Sequence, residues 1–370
     1  MKLSIERKAF LKAVEDGGRA AGKTTLPITL CVKIKLSEGK LKVSSTNNKT
    51  FVSKQIDLDY KGEPAEFGVE ANMLITTLKS IKDPMVELSL ENRQLIVAHS
   101  KGELCFPVVD AATFPRPNFD KKVREITMDA DFFTSSLIRA SKFVYADKTD
   151  DRTSLQCVYC YISEGYLYMA ASDNHVLFRD GMEYTGDASQ FPPHGILIPS
   201  ASIPAIVNSV QREGEIVIRD RDNNFSINSN DCNILVVKGE GMYPRIDRFF
   251  QVHETRATVK VTDIIESVKR CSIAASTAMD IHLECEHDQV RIKASDMIMN
   301  KQAQDSFPCV GCLEGKSVSL SATHLSAILS ALPSDEVDLC IKDSSSTVVL
   351  CPADFPNMKF IVMPLSPKQE

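Results

Sequence analysis

Three groups of side chains in this 370-residue chain are of types and spacings that could do chemistry. The first is Asp173-Asn174-His175, where a carboxylate two residues from an imidazole could orient it as a general base for a serine or cysteine nucleophile. No serine elbow, phosphate-cradling glycine loop, His-Glu-x-x-His pair or recognisable pair of carboxylates accompanies it. Asp173-x-His175 therefore reads as a turn, and no catalytic residue is assigned. The second group is two Cys-x-x-Cys pairs, Cys157/Cys160 and Cys309/Cys312, which together would have the number of thiolates for a structural zinc. Cys157 and Cys160 lie in an alternating segment, where a three-residue step sends the sulfurs to opposite faces. Buried, reduced thiols are expected, with no metal and no cofactor. The third group is cationic and suits phosphate: Lys8, Lys12 and Arg19, then Lys79 and Lys82, Arg139 and Lys142, Arg212, and Lys269-Arg270.

What must position these residues is a repeated fold. Leu41 to Asn48, Leu167 to Asn174 and Val290 to Asp296 are each an alternating strand running into a small polar turn, at a period of about 120 to 130 residues. The turn before the first two copies is spelled alike, Ser37-Glu38-Gly39 and Ser163-Glu164-Gly165. A first helix in each copy is expected over Ser4 to about Ala21, Ala130 to Val144 and Thr262 to Ala275, with apolar residues such as Phe10 and Val14, or Phe133, Leu137 and Ala140, at helical spacing. A second helix should open at Val69-Glu70-Ala71, Pro199-Ser200-Ala201 and Leu320-Ser321-Ala322, making six helices in all. Segments such as Val86 to Leu90 and Glu215 to Arg219 alternate like strands with one wet face, which gives an α+β plan of antiparallel sheets with helices on one side. Phe114-Pro115-Arg116 and Tyr243-Pro244-Arg245 each close a strand-rich stretch, and the domains are placed at 1–121, 122–252 and 253–370.

At 100° per residue Lys8, Lys12 and Arg19 fall within about 40° of one another, opposite Phe10 and Val14. Cations recur on five of the six expected helices although the chain carries a formal charge of -6. One basic side shared by the helices, with the acidic residues on the strands, would suit a phosphate backbone. The composition is 43% hydrophobic and 25% charged, with no apolar run long enough to span a bilayer. The eleven cysteines are scattered, and the start turns charged too soon for a secretory segment, so a cytoplasmic protein is expected.

Taken with the triplication, the order and spacing of Met1-Lys2-Leu3, Thr25-Leu26-Pro27-Ile28, Ala171-Ser172-Asp173-Asn174-His175, Gly241-Met242-Tyr243-Pro244-Arg245 and Val362-Met363-Pro364-Leu365 resemble the bacterial sliding clamps, the beta subunits of DNA polymerase III. The resemblance covers essentially the whole chain. It implies the DNA clamp fold of three repeated domains, a head-to-tail homodimer closing a ring, helices lining the hole and sheets outside. The implied function is that of a non-catalytic processivity factor, nucleoid-associated in the cytoplasm. The implied partners are double-stranded DNA bound without regard to sequence, the DNA polymerase III alpha subunit, the clamp loader, other proteins bearing a clamp-binding motif, and a second copy of the chain. An enzyme or small-ligand protein on a similar scaffold is the alternative, disfavoured because catalytic residues are missing from all three copies.

By the same resemblance, DNA contact falls to Lys8, Lys12, Lys23, Lys79, Arg139, Lys142, Lys148, Arg152, Lys269 and Arg270. A cleft for a glutamine-led hydrophobic peptide, between the second and third domains, falls to Leu155, Ser172, Asn174, His175, Val176, Leu177, Tyr243, Pro244, Phe249, Val362, Met363, Pro364 and Leu365. The dimer contact falls to Leu104, Phe106 and Val108 of one subunit against Ile273 of the other. The chain departs from the family pattern in several places. Lys23 stands where arginine is frequent, Thr153 and Ser154 where aromatic residues touch DNA, Asn174 where glycine is usual and Val176 where arginine is common, and residues 366–370 follow Leu365. A divergent member, with altered peptide preference, is what these departures imply.

Overall fold

The element order spells one motif three times. The computed structural model of the chain describes residues 1–37, 39–117, 123–147, 149, 151–229, 231–250, 255–311 and 313–365. The first pass is β1 (Lys2–Glu6), α1 (Arg7–Gly17), β2 (Cys31–Ser37), β3 (Lys40–Thr46), β4 (Thr50–Asp57), β5 (Ala65–Glu70), α2 (Ala71–Ser80), β6 (Met85–Glu91), β7 (Gln94–His99) and β8 (Gly102–Pro107). The second is β9 (Arg124–Asp129), α3 (Ala130–Ser141), β10 (Cys157–Ser163), β11 (Tyr166–Ser172), β12 (Val176–Glu183), β13 (Ile196–Pro199), α4 (Ile203–Ser209), β14 (Glu215–Asp220), β15 (Asn224–Ser229) and β16 (Cys232–Val237). The third is β17 (Arg256–Lys260), α5 (Val261–Ser272), β18 (Asp280–Cys285), β19 (Gln289–Asp296), β20 (Lys301–Pro308), an added β21 (Val310–Gly311), β22 (Ser317–Ser321), α6 (Ala322–Leu329), β23 (Glu336–Cys340), β24 (Val348–Pro352) and β25 (Lys359–Val362). The echoed segments of the sequence are β3, β11 and β19, each paired antiparallel with the strand before it.

The turns that follow those strands share one hydrogen-bond scheme. The side-chain oxygen of Asn47 accepts from the N–H of Lys49 and Thr50, that of Asp173 from His175 and Val176, and that of Asp296 from Ile298 and Met299. An Asx side chain bonding the backbone two and three residues ahead is a self-contained reason for the chain to reverse there.

The chain divides into two compact units. Met1–Ser135, Gly186–Phe191 and Ile198–Lys238 form unit one. Its strands make a four-stranded sheet, β1-β6-β7-β8, and an eight-stranded one, β5-β2-β3-β4-β16-β15-β14-β9. Phe10, Val14, Leu74 and Leu78, all fully buried, seat α1 and α2 in its core. Gly17 is required where α1 crosses β3, because a Cβ there would lie 2.5 Å from the Val43 carbonyl oxygen. Ser136–Thr185, Pro192–Leu197 and Gly239–Glu370 form unit two. It holds the sheets β20-β19-β18-β22 and β13-β10-β11-β12-β25-β24-β23-β17-β21. Ile264, Val268, Leu325 and Ile328 bury the apolar stripes of α5 and α6.

Six α-helices stand among the described residues, as the repeat implied, but their limits are shorter. Ser4 to Glu6 belong to β1 and not to a helix, because Leu3 and Ile5 are buried while Lys2, Ser4 and Glu6 are exposed, a period of two. α1 stops at Gly17, α3 at Ser141 and α5 at Ser272. The strand-to-helix junctions are as expected at Glu70/Ala71 and Ser321/Ala322, where Glu70 and Ser321 cap the helix N–H groups. In the middle copy a 3-10 turn, Ser200–Ser202, comes first. The proposed domain junctions, at 121/122 and 252/253, lie outside the described residues. No helix among the described residues is long and apolar enough to cross a membrane.

Candidate functional site

Unit two contains a hollow of about 360 Å³ beside the Asp173 turn. Leu155, Ser172, Asn174, Val176, Leu177, Pro244, Phe249 and Met363, all predicted for the peptide cleft, line it. The pairing of β12 with β25 brings the distant segments together: Val176 lies opposite Val362, and the Met363 N–H donates to the His175 carbonyl at 2.9 Å. Asn174 adopts φ 77°, the left-handed region that asparagine tolerates and glycine favours, which accounts for asparagine being accommodated there. Arg245, Ile246 and Arg248 complete the wall and were not predicted. Arg245 adjoins the Tyr243-Pro244 junction read from the sequence; Arg248 had no signal beyond its neighbours. The two guanidinium groups give an apolar hollow an exposed cationic rim.

Five predicted cleft residues do not line the hollow. Val362 is fully buried between β12 and β24, and Tyr243 is buried with its ring stacked on Tyr159 at 4.7 Å. Burial raises the pKa of the Tyr243 and Tyr161 hydroxyls, so both stay neutral. The Leu365 N–H is bound to the Ser319 carbonyl of β22 at 2.8 Å, which carries Pro364 and Leu365 away. His175 is exposed and stacks on His324 with ring centroids 5.0 Å apart.

The turn reading of Asp173 holds in detail. Its Oδ1 accepts from two backbone N–H groups, while Ser172 Oγ donates to the Val176 carbonyl at 2.9 Å. The carboxylate and the hydroxyl are thus engaged in shaping the turn. Burial, aided by the adjacent His175, holds the His324 imidazole below its usual pKa despite the pull of Asp173. Because the folded chain keeps His324 neutral, this group contributes stability that is complete above its unfolded pKa of about 6.5 and is lost as the pH falls through the folded value. His324→Phe should therefore flatten the drop in melting temperature on acidification below about pH 6.5; equal drops in both proteins would assign the effect elsewhere.

The predicted DNA-binding cations occupy three settings. Lys8 and Lys12 are exposed on α1, opposite Phe10 and Val14, but Lys12 pairs with Asp16 at 3.0 Å. Arg19 lies beyond α1, half-buried, bound to Asp16 and to Ser209 Oγ, so the helical alignment drawn for it does not apply. Lys79 meets Glu15 at 2.8 Å, Arg139 meets Asp180 at 3.5 Å, and Lys142 donates to the Ser330 carbonyl at 3.4 Å. Arg270 is held by Asp305 at 2.5 Å and Glu266 at 3.3 Å, and the Asp305 bond raises its pKa further. Lys8, Lys23 and Lys269 are exposed with no carboxylate in ion-pair reach among the described residues. Arg152 lies over the Tyr145 ring at 4.4 Å and donates to its hydroxyl. Lys148 lies outside the described residues.

Among the dimer candidates, Ile273, just past α5, is 76% exposed. β8 is an edge strand, as expected, but its side chains point otherwise. Leu104, Phe106 and Val108 pack into the core of unit one, leaving Glu103, Cys105 and Pro107 outward, so the open feature of this strand is its backbone edge. Cys157 joins the cluster around Tyr161 and Tyr243, whereas Cys160, fully buried, takes the other face of β10. Cys312 lies outside the described residues.

With this geometry in hand, comparisons with known proteins give a consistent answer. Residues 1–119 match the family model of the DNA polymerase III beta subunit N-terminal domain, and residues 249–366 match that of its C-terminal domain. A beta sliding clamp of Rickettsia felis is 24% identical, with 99% of this chain and 99% of the relative covered. The beta sliding clamp of Escherichia coli K12 is 20% identical, with 99% and 100% covered. The crystal structure of the DNA polymerase III subunit beta from Pseudomonas aeruginosa superposes with a TM-score of 0.90 at 19% identity, covering 99% of this chain and 100% of that one. A Bartonella birtlesii sliding clamp bound to griselimycin gives 0.90 at 17% identity, with 99% and 100% covered. Matched from end to end by relatives and carrying both terminal domains of the family, the chain belongs to the DNA polymerase III beta subunits, the bacterial sliding clamps.

Proposed function

We propose that two copies of the chain, each contributing domains 1–121, 122–252 and 253–370, close head to tail into a ring around duplex DNA and hold the polymerase to it. The observation that carries this reading is a pattern of joined and open strand edges. β4 pairs with β16, and β12 pairs with β25, so twice the fourth strand of one repeat accepts the last strand of the next. Two edges of the same kinds are left over: β20, the fourth strand of the third repeat, and β8, the last of the first. A second copy supplies each with its missing neighbour, and because the two edges differ, the contact is heterologous and closes through both. At the joined edges the Val237 and Met363 N–H groups bond the Lys49 and His175 carbonyls. Pro107, at the matching place on β8, has no N–H to give. The exposed Met297 and Ile298 at the head of β20 supply apolar contact there instead.

As a beta subunit the protein is a non-catalytic processivity factor. The DNA path runs along the helices bearing Lys8, Lys12, Lys79, Arg139, Lys142, Lys269 and Arg270, with Lys23, Lys148 and Arg152 on adjoining loops. Pairing of several of these with Asp or Glu suits contacts that are weak and mobile, since a ring needs no grip on any base. The unit-two hollow takes a hydrophobic peptide segment of the polymerase alpha subunit, the clamp loader or other partners. Leu177, Phe249 and Met363 accept its apolar anchors, and Arg245 and Arg248 meet acidic groups at its rim.

A loaded ring should stay on closed circular DNA and leave after a single linearising cut; equal loss from both substrates would overturn the ring. Lys8→Glu, Lys23→Glu and Lys269→Glu together should lower the slope of log K against log salt by roughly one for each contact removed, without altering dimerisation. A slope that does not change would take these residues off the DNA path.

A further inference from the structure

We propose that unit one carries a second peptide-docking surface, selective for an acidic segment, on the sheet face bounded by Lys35, Lys42 and Arg116. It stands on unit one's own charges and does not require the hollow of unit two to bind anything.

The surface encloses about 590 Å³ and sits where the repeat places a counterpart of the unit-two hollow. Thr46 and Phe51 line it as Ser172 and Leu177 line the other, and Pro115-Arg116 stands for Pro244-Arg245. Phe114 fixes this segment by packing on Gly68, where a Cβ would lie 2.6 Å from the ring. The strand registers are matched too: Lys33 lies opposite Ser44 and Lys35 opposite Lys42, as Tyr159 lies opposite Ala170 and Tyr161 opposite Tyr168.

The chemistry at those matched places is opposite. In unit two the face is a column of tyrosine rings, with Tyr159 and Tyr161 stacked at 4.5 Å and Tyr243 stacked upon Tyr159. In unit one the same positions are lysines. Lys33 pairs with Glu66 at 3.0 Å, and Arg219 with Glu125 at 2.9 Å. Lys35, Lys42 and Arg116 are exposed and make no ion pair among the described residues; Glu66, opposite Lys35 on β5, is taken up by Lys33. Like charges directly opposite on paired strands destabilise a sheet, so the Lys35/Lys42 pair is a local cost that a bound carboxylate between them would relieve. The rings that line the hollow, Phe51 and Phe114, are partly or fully buried, leaving no aromatic platform for stacked bases. Hydroxyl and amide groups of Ser44, Ser53, Asn228 and Asn233 line the remainder and suit an extended peptide backbone. Charge and lining together select an acidic peptide over a nucleic acid.

The test is fluorescence anisotropy of the full chain with three labelled probes: a Glu- and Asp-rich peptide bearing one phenylalanine, its Gln/Asn counterpart, and a single-stranded oligonucleotide. The acidic peptide should bind in a salt-sensitive way, and the neutral one should not. Lys42→Glu places opposite charges across the strand pair, so it should raise the melting temperature while weakening the acidic peptide at least about fivefold. Lys35→Glu with Lys42→Glu should weaken it at least about tenfold, and by the same factor when Phe249→Ala and Met363→Ala are also present to remove binding at the unit-two hollow. Undiminished binding by the double variant would overturn the proposal. So would equal binding of the neutral peptide, or tighter binding of the oligonucleotide lost with the same two lysines.

Discussion

Ile273→Asp is expected to break the proposed head-to-tail dimer, so that in analytical ultracentrifugation the variant sediments as a monomer at concentrations where the unaltered chain should sediment as a dimer. Ile273 is 76% exposed at the end of α5, close in sequence to the Asp280–Cys285 strand of the sheet whose open edge is β20. An isoleucine left in water here regains about 1.5 to 3 kcal/mol if a second copy covers it. An aspartate in its place forfeits that gain and brings an unpaired carboxylate against apolar surface, an added cost of several kcal/mol. Each interface then loses at least about 4 kcal/mol, roughly a thousandfold in affinity. A head-to-tail ring of two copies contains the altered contact twice, which makes the loss steep. Ile273→Val, which keeps most of the apolar surface, should remain dimeric. A dimer that survives Ile273→Asp would place the contact elsewhere.

Phe249→Ala combined with Met363→Ala should lower the affinity of a glutamine-led hydrophobic peptide by about 2 kcal/mol or more, roughly thirtyfold, with the ring still closed. Both side chains are half-buried and line the hollow, so they are available to a ligand without being essential to the core. Leu155 and Leu177 also line it, but they are about 5% exposed or less and bind into the cluster with Tyr243 and Ile361, and truncating them would confuse affinity with stability. Pro364→Ala and Leu365→Ala make the contrast: the chain turns toward Ser319 after Met363, so each should change affinity by less than about 0.5 kcal/mol. Comparable losses from all four substitutions would mean that the peptide runs along the terminal segment and not into the hollow.

The sequence by itself determined the triplication, the number of helices and the identity of the strands that carry the turns, because these depend on local periodicity and on residues that cap and reverse the chain unaided. Asp173 and Asn47 announce their turns through bonds to backbone two and three residues away, and Phe10 and Val14 announce a buried face through helical spacing. Resemblance to the clamps also brought most of the hollow together, including Leu155 and Met363, which are distant in the chain. The start of α1 was misplaced because Ser4 to Glu6 suit a helix or a strand about equally in isolation, and only pairing with β6 decides for the strand. The facing of Leu104, Phe106 and Val108 was likewise beyond local reading, since a strand with one buried face has the same alternation whichever side meets the core. Tertiary structure alone decided that Val362 and Tyr243 are sealed, that Leu365 is drawn to β22, and that three of the predicted DNA-binding cations face carboxylates remote in sequence, Glu15 for Lys79, Asp180 for Arg139 and Asp305 for Arg270. It alone gathered Lys33, Lys35 and Lys42 on one sheet of unit one, and Tyr159, Tyr161 and Tyr168 at the corresponding places in a sheet of unit two. Such facts are sums over partners many residues apart, and strand pairing, which carries no signal in either strand alone, is what brings those partners within reach.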